Sequence, residues 1–106
     1  MPDSGLNGRA WALADDIQGL WRARQALDAG KPLPMVLREN RVWGVRERLF
    51  ERVLPRMKAA QLIRLVVSAS TVDGIVKGLK VPDWPTDSWQ ALHRLALRFA
   101  RMYTAR

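Results

Sequence analysis

Between Leu62 and Ala69 only Arg64 and Ser68 interrupt a run of apolar residues. A helix of that composition has no broad polar face, so most of its circumference has to be covered by other parts of the chain. The segment around it, from about Ala59 to Gly78, therefore reads as a central helix, and the remaining segments read as its cover. Those segments are themselves helical in pattern. From about Ala10 to Leu27 the residues Ala10, Leu13, Ala14, Ile17, Leu20, Trp21 and Leu27 recur at intervals of three and four, which draws one stripe on an α-helix. Gly30 and Pro32 end it.

A short second helix is expected over Leu33 to Glu39, and a third from Asn40 or Gly44, with Glu47 near its positive end. Val45, Leu49, Phe50, Val53, Leu54 and Met57 are expected to point inward from this third helix, with Pro55 at its terminus. Lys58 stands where the central helix would be capped, with Gln61 three residues on, so only the second half of a capping box is present. Val81 to Thr86 is the one clear loop. Asp87 or Thr86 then caps a last helix with Trp89, Leu92, Leu95, Ala96, Phe99 and Met102 on its inward side. Alternating strand patterns and repeats are missing. The expected fold is all-α, a compact bundle of about five helices over residues 10–106, preceded by a polar, flexible lead-in at residues 1–9.

The sequence has no cysteine, which removes disulfides, thiol nucleophiles and thiolate metal sites together. No run reaches the ~18 to 20 consecutive apolar residues of a membrane span, and Met1 to Gly5 lacks the apolar core of a signal peptide. A cytoplasmic protein without a membrane partner is the expectation.

No residue set supports catalysis. Asp15 and Asp16 are adjacent, about 100° apart on a helix, with no carboxylate at i+3 or i+4 to share a metal or a proton, and read as exposed surface. Glu47 and Glu51 share a face but lie among Arg48 and Arg52, the pattern of a solvated mixed-charge face. His93 is the only histidine and has no local Ser, Cys or second His. The glycines never form a phosphate-cradling loop between a strand and a helix. No catalytic, cofactor or metal site is expected.

Charge gives the functional signal. The formal net charge is +8, carried by fourteen Arg and four Lys, which points to an anionic partner, an acidic protein face, or a fragment separated from an acidic remainder. Arg suits planar, partly desolvated contacts with carboxylates as well as with phosphates. Arg94, Arg98 and Arg101 lie at i, i+4 and i+7 with no acidic residue after Asp87, and form the candidate partner surface; the bland reading is a solvated face. Arg48, Arg52 and Arg56 repeat the spacing on the third helix. Among the five tryptophans, Trp11, Trp21 and Trp43 fall on or near apolar stripes and are expected in the core, whereas Trp84, in the loop between Asp83 and Pro85, is expected to be exposed or to meet a partner.

The segments Trp11-Ala12-Leu13-Ala14-Asp15-Asp16-Ile17, Arg38-Glu39-Asn40-Arg41-Val42-Trp43-Gly44, Asp73-x-x-Val76-Lys77-Gly78 and Ser88-Trp89-Gln90-Ala91-Leu92 stand in this order and at these separations between residues 11 and 92. Together they resemble the C-terminal helical collar domain of the delta subunit of bacterial DNA polymerase III, part of the sliding-clamp loader. Each motif alone is a short run of common helix residues. The resemblance implies a domain that packs beside equivalent domains of the other clamp-loader subunits in a pentameric ring, with those subunits as partners and DNA reached at most indirectly. It also implies fold-specifying roles for Trp11, Trp43 and Trp89. The family's clamp-binding residues lie in an N-terminal module that this chain does not contain. The family's collar begins with a further helix that is replaced here by Met1 to Arg9, so the chain resembles an excised fragment whose uncovered apolar surface would favour self-association. The alternative reading is a small basic helical domain that binds nucleic acid through its arginines.

Overall fold

The computed structural model describes residues 4–104, and over them the chain is an all-α bundle of five helices: α1 (Ser4–Asp28), α2 (Leu33–Glu39), α3 (Val45–Val53), α4 (Ala59–Val76) and α5 (Ser88–Thr104). Residues 1–3 of the expected lead-in lie outside the described residues, and residues 4–9 form the first turns of α1. Gly5, Asn7 and Gly8 are weak helix formers, which is why local propensity places the start later.

The central position of α4 follows from its composition. It packs against α1 on one side and α5 on the other. Leu62, Leu65, Ala69, Val72 and Ile75 are buried toward Ile17, Leu20 and Ala23 of α1 and Ala91, Leu92 and Leu95 of α5. With 18 residues and a mean hydropathy of 1.4, α4 is also long and apolar enough, by length and composition, to cross a membrane. The two residues that interrupt its apolar run have opposite fates. Ser68 is buried and accepts a hydrogen bond from Arg98 Nη1 at 3.1 Å, which satisfies a hydroxyl that would otherwise be costly in the interior, whereas Arg64 stands in solvent.

Helix termination follows one repeated device. After α1, Gly30 (φ 97°) allows Lys31 N–H to reach Ala26 O at 3.1 Å and Gly30 N–H to reach Leu27 O at 3.0 Å. After α4, Gly78 (φ 100°) does the same for Leu79 with Gly74 O at 2.9 Å, and the Leu79 side chain lies against Gly74. Both are Schellman endings, with the positive φ that glycine adopts without strain. After α2 the same two bonds form, Val42 N–H to Leu37 O and Arg41 N–H to Arg38 O, but the left-handed position is filled by Arg41 (φ 55°). Asn40, expected as a possible helix start, instead closes α2, with its Nδ2 donating to Val36 O at 2.8 Å. Gly44 (φ 68°) precedes α3 and puts Glu47 at the third helical position.

The short helix α3 is pinned to α1 by polar contacts. Arg46 on α3 lies 2.8 Å from Asp16 and 3.5 Å from Asp15, so these half-buried carboxylates hold two helices together, in place of the exposed role expected for them. Arg24 on α1 donates to Leu54 O at 2.7 Å just past the end of α3 and pairs with Asp28 at 2.9 Å. Between these contacts Phe50 is fully buried against Gly19, where a β-carbon would come within 3.0 Å of its ring. Val45, expected inward, is 84% exposed, because the first turn of α3 extends beyond the core contact made by Phe50, Val53 and Leu54.

Of the five tryptophans, Trp21 packs half-buried against the core as expected, and the other four depart from expectation. Trp11, Trp43 and Trp89, expected as fold-specifying core residues, are 70%, 68% and 48% exposed. Trp11 stands about 100° from Ala10 and off the stripe of Ala10, Leu13, Ala14 and Ile17. Val42 takes the inward place at the α2–α3 junction and leaves Trp43 outside. Trp89 shares with Ala96 the margin of the α5 stripe, whose buried centre is Leu92 and Leu95. Trp84, expected outside, is half-buried against the core.

Candidate partner-binding face of α4 and α5

The position of Trp84 decides what the α5 arginines do. The loop after α4 folds back along α5, with Trp84 N–H donating to Val81 O at 3.2 Å and Asp83 in a left-handed conformation (φ 69°). That turns the Asp83 carbonyl toward Arg94, whose Nη1 donates to it at 2.6 Å. The guanidinium carbons of Arg94 and Arg98 lie 5.2 and 5.0 Å from the centre of the Trp84 ring, within cation–π range. Asp87, as expected, caps α5, accepting from Trp89 N–H at 3.3 Å.

Of the stripe expected as a partner surface, Arg94 is thus half-buried and committed to the loop, Arg98 is exposed yet anchored to Trp84 and Ser68, and Arg101 is exposed, its guanidinium without an ion pair or hydrogen bond to another described residue. No carboxylate pairs with any of the three among the described residues, whose ion pairs engage Arg24, Lys31, Arg46 and Lys77. Arg56, from the second set, lies over Tyr103 at 5.1 Å, while Arg48 and Arg52 project from α3 into solvent.

Arg98 and Arg101 form a ridge between two surface depressions. On the outer side Pro85, Gln90, His93, Arg94 and Leu97 line a shallow one of mixed character. On the side facing α4 lies an open groove of about 600 Å3, lined by Ile63, Arg64, Val67, Ser68, Arg98, Arg101 and Met102. Its floor is apolar and its rim is three guanidinium groups. Ile63 and Val67 are one turn apart on α4, and Val67 is 60% exposed. Sequence reading found the α5 arginines but missed Ile63, Arg64 and Val67. The signal was present, because a helix apolar on nearly every side has more apolar surface than two neighbouring helices can cover.

The other side of α4 is different in character. Trp11, Asp15 and Gln18 of α1 face Ser70 and Asp73 of α4 across a narrower depression, and both carboxylates there have basic partners, Arg46 for Asp15 and Lys77 for Asp73. Among the described residues no group of three His, Cys, Asp or Glu side chains could hold a metal ion. No protein family, curated protein or solved structure matches this chain.

Proposed function

We propose that this chain is a protein–protein assembly domain of the clamp-loader collar type, which holds a replicative assembly together and carries no chemistry of its own. The observation that supports this reading is the distribution of exposed apolar side chains. Ile63, Val67 and Leu97 lie around the α4–α5 face, Trp11 beside the α1–α4 face, and Trp43 and Val45 at the α2–α3 junction. A domain set between two neighbours in a ring needs two unlike faces of this kind, since head-to-tail contacts bury different patches on the two partners. Exposed tryptophans and arginines are also the side chains that anchor protein interfaces most often. Three of the four resembled motifs fall at helix ends and junctions, Arg38 to Gly44 between α2 and α3, Asp73 to Gly78 at the end of α4 and Ser88 to Leu92 at the start of α5, while Trp11 to Ile17 lies within α1.

The test is size-exclusion chromatography of the chain mixed with the other clamp-loader subunits of the same source at moderate salt. Co-elution with them supports the assembly reading. A second reading, nucleic-acid binding, is favoured by the net charge of +8 and by arginines without acidic partners. It predicts binding to duplex DNA below about 1 µM with a steep, linear fall of log affinity against log salt.

A further inference from the structure

We propose that the groove between α4 and α5 receives an acidic amphipathic helix of a partner protein, with the partner's apolar face on Ile63, Val67 and Met102 and its carboxylates on Arg64, Arg98 and Arg101. This gives the assembly reading a partner chemistry and rests on that reading only for where the partner comes from. Ile63 and Val67 present two successive turns of α4, and Met102 adds a flexible, adaptable edge from α5. An incoming helix buries residues at i, i+3 or i+4, and i+7 against such a floor. The rim then selects its charge, because three guanidinium groups border the groove and no carboxylate lines it.

Arg98 is already oriented for this. Its Nη1 is held by Ser68 at 3.1 Å and its plane lies over Trp84, so part of the ordering cost that a free arginine would meet on binding is met in the unbound fold, while its remaining donors are available to a carboxylate. A second copy of the chain is a poor occupant. At +8 two copies repel, Asp15, Asp16, Asp28, Glu39 and Asp73 are engaged in ion pairs of their own, and Glu47 and Glu51, the exposed carboxylates that share a face of α3, stand among Arg46, Arg48 and Arg52. A phosphate backbone would use the rim but gain nothing from covering Ile63 and Val67.

The experiment is fluorescence anisotropy of the full chain with a labelled model helix that carries Leu at i, i+3, i+4 and i+7 and Glu on both flanks. A peptide with Lys for Glu and a composition-matched scramble are the controls. Saturable binding is expected for the Glu helix alone, weakening as salt rises. Val67→Asp and the double variant Arg64→Gln/Arg101→Gln should each weaken it about tenfold or more, the loss typical of an interface anchor. All three variant positions are exposed, and unchanged circular dichroism establishes that the variants fold. Binding of the Lys helix or the scramble as tightly as the Glu helix, no binding of the Glu helix, or indifference to Val67→Asp would each overturn the proposal. So would a DNA duplex that displaces the peptide and binds Val67→Asp as tightly as the parent chain. The two readings separate in the clamp-loader mixture. Co-elution that survives Val67→Asp leaves the assembly reading standing and removes this groove from it, whereas peptide binding without co-elution keeps the groove and removes the clamp loader.

Discussion

Replacing Gly19 with Ala tests the closest contact in the bundle. In an ordinary helix position the change gains up to about 1 kcal/mol, because alanine has less backbone freedom to lose. Here the new methyl would lie 3.0 Å from Phe50 Cζ and 3.5 Å from Cε2. The ring has no accessible surface and so nowhere to retreat. Moving it means moving α3, which is tied to α1 by Arg46 on Asp16 at 2.8 Å and by Arg24 on the Leu54 carbonyl at 2.7 Å. Overpacking of this kind costs about 1 to 3 kcal/mol. Subtracting the propensity gain leaves a net change between about zero and a loss of roughly 2 kcal/mol, up to several degrees in melting temperature for a domain of this size. Gly8→Ala is the control, since nothing lies within 4 Å of its β-carbon position in the same helix, and it should stabilise by about 0.5 to 1 kcal/mol. Urea unfolding followed by far-UV circular dichroism measures both. If Gly19→Ala raised the midpoint as Gly8→Ala does, the α1–α3 contact would be looser than described and the packing argument would fail.

Three further outcomes are expected. Lys58→Ser should raise the unfolding midpoint by about 0.5 to 2 kcal/mol with an unchanged denaturant slope. Gln61 Oε1 already accepts from Lys58 N–H at 2.9 Å, and only the acceptor that a lysine cannot supply is missing. A neutral result would mean that solvent satisfies the first turn of α4 equally well. Arg41→Gly should stabilise by up to about 1 kcal/mol in a thermal melt by relieving the left-handed position after α2, and a lower melting temperature would show that the Arg41 side chain contributes more than its backbone costs. Trp84→Ala should destabilise more than Trp89→Ala, by about 2 to 4 kcal/mol for a half-buried indole that also carries two guanidinium groups, and the reverse order in urea would place the core on the wrong side of α5.

The helices were legible where periodicity was strong. The α1 stripe from Ala10 to Leu27 all lies in or against the core, and the apolar run at Leu62 to Ala69 marked α4 as central. The Lys58 start of α4 and the Asp87 cap of α5 could be read from local chemistry alone. What failed was assigning large residues at the edges of stripes. A tryptophan one position off a stripe, such as Trp11, or at its margin, such as Trp89, looks inward to a pattern count, yet a shift of about 100° per residue decides between core and solvent. Trp84 was misplaced for a different reason. Its burial depends on the left-handed turn at Asp83 and on Arg94 and Arg98 arriving from α5, contacts between residues that no local window joins. The groove was likewise partly visible, since the arginines of α5 could be read from their spacing and excess apolar surface on α4 from its composition, but which residues of α4 stay uncovered was fixed only once the two helices were side by side.

The proposal that this chain is a ring-assembly domain is tested most directly by native mass spectrometry of the chain mixed with clamp-loader subunits of the same source. The account predicts a complex containing one copy of the chain together with its neighbours, reduced in abundance by Val67→Asp. Recovery of the chain only as free protein or bound to DNA, with the other subunits assembling without it, would contradict the account.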